Sequence, residues 1–533
     1  MNLVASSEPE AVHRRRWLIL GVLVLCLLIV ILDNTILNVA LKNIQQSLGA
    51  TQSDMEWAVN AYSLVFAGLL FTWGVIGDRL GRKRVLLTGL VLFGAFSAAC
   101  AFSGSPAALI ATRALMGIGG AAVQPQTLSI ISNVFSPEER PKAIGIWAGF
   151  SGVALAIGPV TGGFLLDHFW WGSVFLVNVP VVIVAVVAIG AVVPESRDPH
   201  PRRVDIPGVL LSIVSLVLLV YGIIKGGQTT DWAAPQVWGT ITAGLVLLGL
   251  FTVVELRSRN PALDVTLFRK PQFAASTVAV GLTFFALMGA TFFLSFYFQA
   301  VRGYSPLQTG LCLLSMATGQ IIAAPRSTRL AERLGTRTVV GGGLALVALC
   351  FLSFTQVDAD LPLPWLEVLL FLMGLGMGNI MAPATNAVMN AVPRERAGAG
   401  AAVNNTIRQV GGALGVAVLG SILSATYRSR LGDAAQVLPA QVRGSDTSES
   451  IGGTLAAIGR TAQQVASGAM PRSALAPLGP LRESALSAFV HAMHVTVLGA
   501  AAADVVGVLV VVAFLPASLR PGLRARGQAP ARR

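Results

Sequence analysis

Four charged residues lie deep inside long apolar segments of this chain, away from the segment ends: Asp33, Arg113, Arg408 and Asp504. A charged side chain at the centre of a bilayer costs at least about 2.5 kcal/mol on insertion scales, so such residues commonly line ion or proton pathways. A carboxyl group can bind and release a proton, and a neighbouring arginine favours its ionised form. We therefore predict proton coupling for all four residues. A structural ion pair is the alternative for Arg113, and a merely tolerated acid is an equal alternative for Asp504.

The positions of these residues along their segments predict which of them meet. Asp33 lies about 16 residues, or roughly 24 Å, above the inner end of the first segment. Arg113 lies roughly 21 Å above the inner face if the fourth segment descends through about 30 Å of hydrocarbon. We therefore expect both in one polar network, in which protonation of Asp33 releases Arg113 or the reverse. Arg408 and Asp504, at roughly 14 and 17 Å, predict a parallel pair in the second half of the chain.

The composition predicts an all-α integral membrane protein. The 533 residues are 54% hydrophobic and only 12% charged, with a mean hydropathy of +0.71. Soluble domains contain about 25% charged residues. The apolar segments run for about 20 residues, the length of a membrane-spanning helix, whereas the strands of a membrane barrel alternate over about 10 residues.

The distribution of basic residues predicts the orientation. We identify fourteen spans. With the N-terminus inside, the inner segments contain 27 lysines and arginines and the short outer loops contain 3. This bias is typical of cytoplasmic loops. The net charge of +13 therefore reflects topology, and we expect no nucleic-acid partner. The predicted spans are roughly 17–40, 56–76, 85–104, 107–130, 143–166, 173–193, 206–224, 237–256, 273–299, 307–325, 338–355, 364–388, 399–423 and 492–515.

An internal repeat divides the spans into two related sets of six. The sequence Met116–Gly120 recurs 257 residues later as Met373–Met377, and Asp78–Gly81 recurs in part as Glu332–Gly335. Repeated halves around a central site are typical of secondary transporters. The predicted organisation is a cytoplasmic tail 1–16, a first bundle 17–193, inserted spans and linkers 194–272, a second bundle 273–515 with an outer loop 424–489, and a basic cytoplasmic tail 516–533.

The loop between the second and third spans is a candidate for conformational gating. Glycines allow close helix approach and a tight turn, and an acid in such a loop can bind helix-terminal amides or arginines. The alternative is an ordinary positively charged inner loop. The candidate residues are Gly74, Asp78, Arg79, Gly81 and Arg82.

The fifth span combines a proline with several glycines. A proline inside a helix removes one hydrogen bond and bends it, while glycines permit close packing against a neighbour. The composition alone is equally compatible with a bent packing helix that has no special role. The residues that predict the bend and the interface are Gly145, Gly158, Pro159, Gly162 and Gly163.

The order of residues in these motifs resembles the major facilitator superfamily, over nearly the whole chain. The stretch Leu32–Leu41 is similar to the first-span signature of its fourteen-span drug:proton antiporters, and Gly145–Gly163 resembles the fifth-span signature of its antiporters. Ala154 and Lys42 depart from these patterns, which usually have glycine and proline there. The resemblance implies two six-helix bundles plus two inserted helices, a role of Arg113 in proton transfer, and alternating access.

Catalytic and metal motifs are missing from the sequence. It contains no Gly-Lys dipeptide and hence no phosphate-binding Walker loop. It also has no HExxH or GxSxG motif, and its four cysteines are scattered singly. We therefore expect no enzymatic activity, no cofactor and no metal site, and we expect an ion gradient to supply the energy.

These observations predict a multi-pass protein of the bacterial cytoplasmic membrane with both termini inside, which exports amphipathic drugs or antibiotics in exchange for protons. Its expected partners are protons, the drug and the lipid bilayer; a further envelope partner is left open. An importer or facilitator of a hydrophilic solute is the main alternative, and a channel or membrane-embedded enzyme fits the repeat less well. The candidate substrate-cavity residues are Asn34, Asn38, Asn404 and Asn405.

Overall fold

The computed structural model describes residues 7–515 apart from a few short gaps. The gaps are residues 137–138, 198–204, 230, 259–260, 262, 264, 359, 392–396, 439–447, 449 and 468. The predicted tail 516–533 and the first six residues of the tail 1–16 lie outside the described residues. Residues 7–16 belong to the first helix rather than to a separate tail.

The described chain consists of helices and connecting segments and contains no strand. We call α1–α7 the N-terminal group, α8 and α9 the inserted hairpin, and α10–α16 the C-terminal group. The N-terminal group comprises α1 (Ser7–Leu48), α2 (Gln52–Leu80), α3 (Arg82–Ala101), α4 (Pro106–Val134), α5 (Arg140–His168), α6 (Ser173–Leu176) and α7 (Asn178–Val192). The hairpin comprises α8 (Ile206–Thr229) and α9 (Pro235–Arg257). The C-terminal group comprises α10 (Pro271–Phe296), α11 (Pro306–Leu334), α12 (Thr336–Phe354), α13 (Leu363–Ala391), α14 (Ala397–Leu431), α15 (Ile451–Ala466) and α16 (Leu478–Phe514).

Local sequence signals set several helix starts. Thr51 and Asp54 form a reciprocal capping box at the start of α2, and Ser305 with Gln308 does the same for α11. Ser105 caps α4, whose first residue is a proline that needs no amide donor at that position. These signals place the turns at the ends of the apolar segments.

The long helices account for the predicted membrane spans. Among the described residues, twelve helices are long and apolar enough to cross a membrane, and α2 qualifies as a thirteenth span that is bent by 51° between Gln52–Leu70 and Thr72–Leu80. The remaining predicted span corresponds to α5, which is 29 residues long. The sixth span, Ser173–Val192, is divided into α6 and α7.

The outer loop 424–489 is more ordered than an open loop. Its first residues continue α14 to Leu431 and its last residues begin α16 at Leu478. The short helix expected near Ile451–Ile458 is present as α15 and extends to Ala466. Gln45 of α1 donates a hydrogen bond of 2.9 Å to Ser450, the N-cap residue of α15, and thereby attaches this helix to the N-terminal group.

The N-terminal and C-terminal groups are joined at the end of the bundle away from the N-terminus. Lys42 Nζ donates to the backbone oxygen of Gln299 at 2.6 Å, and Gln299 Nε2 donates to the backbone oxygen of Val39 at 2.8 Å. Ser305 Oγ donates to Asp167 at 2.9 Å on another side of the interface. Lys42, which departs from the usual proline, therefore supplies a contact between the groups.

The inserted hairpin packs across both groups. A side chain at Gly68 of α2 would clash with Ile213 of α8, and one at Gly227 of α8 would clash with Ser421 of α14. Ser421 Oγ also donates to the backbone oxygen of Ile223 at 3.1 Å. The hairpin thus covers the line along which α2 meets α14.

Glycine contacts also set the distance between neighbouring helices. A Cβ at Gly374 of α13 would clash with the backbone oxygen of Met316 in α11. We expect Gly374→Val to lower the free energy of unfolding by about 1–3 kcal/mol or more, because the two backbones must separate. Gly342→Val is the control, since no atom lies within 4 Å of a Cβ there. Thermal unfolding of both variants in detergent tests this, and equal melting temperatures would contradict it.

Candidate functional site

Asp33 of α1 and Arg113 of α4 form a buried ion pair. Arg113 Nη1 donates to Asp33 Oδ2 at 2.5 Å, and the two residues are 0% and 2% exposed, respectively. The contact predicted from their matching depths is therefore confirmed. Their depth is set by helix length, and their proximity by the packing of α1 against α4 within the N-terminal group.

A short chain of hydrogen bonds holds the other carboxylate oxygen of Asp33. Asn178 Nδ2 donates to Asp33 Oδ1 at 3.0 Å and also lies 3.1 Å from Ser97 Oγ. Ser97 Oγ in turn donates to the backbone oxygen of Phe175 at 2.8 Å. These residues come from α1, α3, α6 and α7, so four helices fix the position of one carboxylate.

Arg113 is held independently of the carboxylate. Its Nε donates to the backbone oxygen of Ala58 in α2 at 3.1 Å, and its guanidinium carbon lies 4.4 Å from the centre of the Tyr62 ring. A cation over an aromatic ring is stabilised by about 0.5–2 kcal/mol when desolvated. These contacts keep the guanidinium beside Asp33.

The break in the sixth span explains why Asn178 can reach the pair. Pro180 has no amide hydrogen, so the carbonyl of Leu176 receives no helical hydrogen bond from it. The helix is interrupted at Val177, and α7 begins with Asn178, which is 2% exposed. Asn178 and Ser97 are not among the site residues predicted from the sequence. The signal for Asn178 was a single amide followed two residues later by a proline in an apolar span.

The arrangement is suited to binding and releasing a proton. Breaking a buried ion pair by neutralising one partner costs about 3–5 kcal/mol, because the other charge is left uncompensated. A proton on Asp33 therefore weakens the hold on Arg113 and favours any arrangement of helices in which Arg113 finds another partner. No group of residues able to hold a metal ion is found in the described part of the chain.

The predicted second pair of Arg408 and Asp504 is wrong. Within the described residues Arg408 forms no ion pair, and its guanidinium instead lies 4.4 Å from the centre of the Phe284 ring of α10. Asp504 is 0% exposed, and neither of its carboxylate oxygens has a hydrogen-bond partner among the described residues. The two residues lie at similar depth, but depth does not determine the direction in which each side chain leaves its helix.

The four candidate asparagines have different surroundings. Asn34 and Asn38 donate to backbone oxygens of their own helix, at 3.0 and 3.3 Å. Asn404 is 5% exposed, and its Oδ1 has no partner in the described structure, while Asn405 is half-buried. Their role in a substrate cavity remains a prediction.

The loop between α2 and α3 contains a compact polar cluster. Arg82 donates to Asp78 Oδ1 through Nη2 at 2.8 Å and through Nε at 3.0 Å. Glu195, from the segment after α7, accepts from the backbone amides of Lys83 and Arg84 at 3.1 and 3.3 Å. An acid at the positive end of a helix is stabilising, so Glu195 fixes the start of α3. Glu195 is not among the residues predicted from the sequence.

The glycines of this loop allow the cluster to form. Gly81 has φ of 111°, a conformation that non-glycine residues rarely adopt, and its backbone lies against the Glu195 carboxylate. Gly77 lies against the side chain of Gln126 in α4, and Gly74 lies near Pro125. Arg79, the remaining candidate, is exposed.

The candidate glycines of α5 lie at two interfaces. A Cβ at Gly158 would clash with Thr35, and Gly162 lies against Ile36, so both contact α1 beside Asp33. A Cβ added at Gly163 would lie only 2.5 Å from the backbone oxygen of Pro306 in α11 and would clash with it. Gly310 of α11 is packed against the backbone of Pro159. The surroundings of Gly145 lie outside the described residues.

The sequence profile described as Major Facilitator Superfamily matches residues 23–416. The chain belongs to the Major Facilitator Superfamily. The superfamily is one of transporters, and the long apolar helices identify this member as a multi-pass membrane protein.

Among curated proteins, the chain is similar to resistance and efflux proteins of the Major Facilitator Superfamily type. It is 37% identical to the multidrug efflux pump LfrA of Mycolicibacterium smegmatis, over 83% of this chain and 87% of that protein. It is 34% identical to the tetracenomycin C resistance and export protein of Streptomyces glaucescens, over 81% and 79%. It is also 34% identical to the methyl viologen resistance protein SmvA of Salmonella typhimurium, over 78% and 84%.

A solved structure shows the same Major Facilitator Superfamily fold. It is that of a bacterial homologue of the human lysosomal transporter Spinster in an inward-facing and unoccupied conformation, with a TM-score of 0.64 and 16% identity over 94% of this chain and 97% of that chain. The likeness confirms the predicted fold class.

The buried pair predicts strong coupling between two residues. We expect Asp33→Asn and Arg113→Gln each to lower the free energy of unfolding by about 3–5 kcal/mol. The double variant should lose less than the sum of the two, by about 0.5–3 kcal/mol. Unfolding of the purified protein in detergent measures these values. The exposed pair Arg84 and Glu195 is the control, with a coupling energy of at most about 1 kcal/mol. Additive losses at Asp33 and Arg113 would contradict the prediction.

Proposed function

We propose that the protein is a proton-coupled exporter of amphipathic drugs or antibiotics that works by alternating access in a bacterial cytoplasmic membrane. The observation that carries the proposal is the buried pair of Asp33 and Arg113 within a transporter fold. The substrate class comes from the relatives, whose names describe multidrug efflux, tetracenomycin C export and methyl viologen resistance.

Proton and drug act on the same equilibrium between two orientations of the helix groups. The drug binds between the N-terminal and C-terminal groups from the cytoplasmic side. A proton from outside then binds Asp33 and weakens its contact with Arg113. Each occupant favours one orientation, so net exchange follows from their different affinities for the two states.

The described contacts support the inward-facing orientation for this structure. The hydrogen bonds of Lys42 and Gln299 join the groups at the end opposite the N-terminus. The predicted inner segments contain 27 basic residues and the short outer loops contain 3, which favours a cytoplasmic N-terminus. The end of the bundle that carries Lys42 and Gln299 is then the outer end. Opening towards the outside therefore requires these hydrogen bonds to break.

The loop and the bent helix supply the conformational parts of the proposal. Asp78 and Arg82 hold the inner ends of α2 and α3 together, and we assign them the gating role. The Gly158–Pro159 region of α5 lies between α1 and α11, where it transmits movement at Asp33 to the interface of the two groups. No catalytic role is assigned to any residue.

The main test is proton coupling. We expect Asp33→Asn to abolish transport driven by a pH gradient, because the variant side chain cannot carry a proton. A drug-susceptibility panel first identifies a transported drug, and everted membrane vesicles then report the collapse of the pH gradient when that drug is added. Glu483→Gln, an exposed acid at the start of α16, is the control and should retain transport. If the drug collapses the pH gradient as strongly with Asp33→Asn as with the unaltered protein, the proposed role of Asp33 is wrong. Drug flux through the unaltered protein that does not depend on the pH gradient would favour a facilitator.

A second test concerns the loop. We expect Asp78→Asn to slow drug transport strongly while changing the free energy of unfolding by no more than about 1 kcal/mol, since the pair is partly exposed. Arg84→Gln, a change of an exposed charge in the same loop, should have little effect on the rate. Initial transport rates and melting temperatures are measured side by side. Equal rates for Asp78→Asn and the unaltered protein would exclude gating by this contact.

A further inference from the structure

The first turn of α15 is packed against the N-terminal group. Gln45 of α1 donates to Ser450 Oγ at 2.9 Å, and the two residues are only 2% and 5% exposed, respectively. Ser450 Oγ also accepts from the backbone amide of Gly453 at 3.1 Å, as the N-cap residue of α15. A Cβ at Gly452 would clash with Oε1 of Gln45. The contact between α1 and α15 is therefore close as well as buried.

The same turn is held by the C-terminal group. The hydroxyl of Thr454 and the hydroxyl of Tyr427 in α14 form a hydrogen bond of 2.6 Å, and both residues are buried. The chain connects α15 to α14 on one side and to α16 on the other, and both of these helices belong to the C-terminal group. We therefore expect α15 to move with the C-terminal group, while its contact with Gln45 crosses to the other group.

A small cavity beside this turn is lined by both groups. Gln52 of α2 lines it from the N-terminal group, and Phe296 of α10 and Phe489 of α16 line it from the C-terminal group. Ser450 and Ile451, at the start of α15, complete its wall. Gln52 is 2% exposed, and its Nε2 has no partner in the described structure. The start of α15 thus lies at the place where the two groups meet.

Opening towards the outside has to break the contact of Gln45 with α15. Gln45 lies three residues after Lys42 on α1, and residues three apart on a helix share one face. Lys42 already joins the groups at this end through its hydrogen bond to Gln299. When the groups separate on the outside, both contacts lie on the surfaces that move apart.

We propose that the first turn of α15 is an outer clasp, which stabilises the inward-facing state through its contact with Gln45. The inference rests on the proposed function and concerns its conformational step, the opening towards the outside. In each cycle the hydrogen bond between Gln45 and Ser450 breaks, α15 leaves with the C-terminal group, and the bond forms again when the outer side closes. A single hydrogen bond makes a modest net contribution to stability, so the outer clasp can release during turnover.

A disulfide across the outer clasp tests whether this contact has to open. A disulfide joins two Cβ atoms through three bonds, over about 3.5–4.5 Å. Oε1 of Gln45, which a Cβ at Gly452 would meet, is likewise three bonds from its own Cβ. The double variant Gln45→Cys and Gly452→Cys is oxidised with copper phenanthroline in membrane vesicles, and drug transport is measured before oxidation, after oxidation and after reduction with dithiothreitol. We expect oxidation to abolish transport and reduction to restore it.

The control is a disulfide between two helices of the same group. A Cβ at Gly499 of α16 would lie 3.3 Å from Ile422 Cδ1 of α14. The double variant Ile422→Cys and Gly499→Cys should form a disulfide and retain transport after oxidation. Transport that persists once Gln45→Cys and Gly452→Cys are linked, as mass spectrometry of the linked peptides shows, would overturn the outer clasp. Failure of these two cysteines to link would contradict the contact itself.

A single substitution tests the same contact without a cross-link. Gln45→Ala removes the hydrogen bond to Ser450 and should raise the outward-open population about two- to tenfold. Ser295→Cys reports this population, because Ser295 is fully buried and its Oγ accepts at 3.1 Å from the Gln299 side chain that crosses between the groups. A charged maleimide added from outside should label this cysteine faster with Gln45→Ala but not with Gln46→Ala, a change of the exposed neighbouring residue. Equal labelling rates in the two backgrounds would contradict the proposal.

The proposed function and the outer clasp fail on different results. The proposed function fails if the unaltered protein exports no drug under a pH gradient. The outer clasp fails if the variants at Gln45 behave like their controls in a protein that does export the drug.

Discussion

The cost of an unpaired charge in hydrocarbon is the constraint on which the N-terminal group depends. Asp33 and Arg113 remain buried because they neutralise each other and have further partners: Asn178 for one carboxylate oxygen, and Ala58 and Tyr62 for the guanidinium. The partners come from different helices, so the pair fixes the relative positions of α1, α2, α4 and α7. The same cost makes the pair sensitive to protonation, because a proton on Asp33 removes the negative charge that compensates Arg113.

The internal repeat preserves packing but not charge. The glycines that follow Arg113 in α4 recur in α13, where Gly374 and Gly376 again bring backbones together. At the 257-residue offset, however, the position of Arg113 is occupied by Leu370, which is buried. The C-terminal group instead carries Arg408 and Asp504, which form no ion pair with each other in the described structure. Two halves of common geometry therefore differ in the charged groups buried within them: an ion pair in the N-terminal group, and an arginine and a carboxyl group that do not meet in the C-terminal group.

Much of the fold and one pair of the site could be predicted from the sequence, for physical reasons. The length of the apolar segments predicts the membrane spans, and the rise per residue of an α-helix is enough to place Asp33 and Arg113 at the same depth. The same reasoning failed for Arg408 and Asp504, because height does not determine direction around a helix, and Asp504 faces a packed interior. Asn178 was missed because its position depends on a helix break at Pro180. Glu195 was missed because its partners are backbone amides 111 and 112 residues away, which leave no trace in local sequence patterns.

The inserted hairpin gives the two sides of the molecule different access to the bilayer. Ile213 and the backbone at Ile223 place α8 over the junction of α2 and α14, which is thereby shielded from lipid by a layer of protein. In the described structure the hairpin has no comparable packing against the corresponding junction of α5 and α11. A molecule dissolved in the bilayer therefore meets the inserted hairpin on one side of the transporter and the junction of α5 and α11 on the other. The inserted pair of helices therefore makes the two junctions between the helix groups differ in their exposure to lipid.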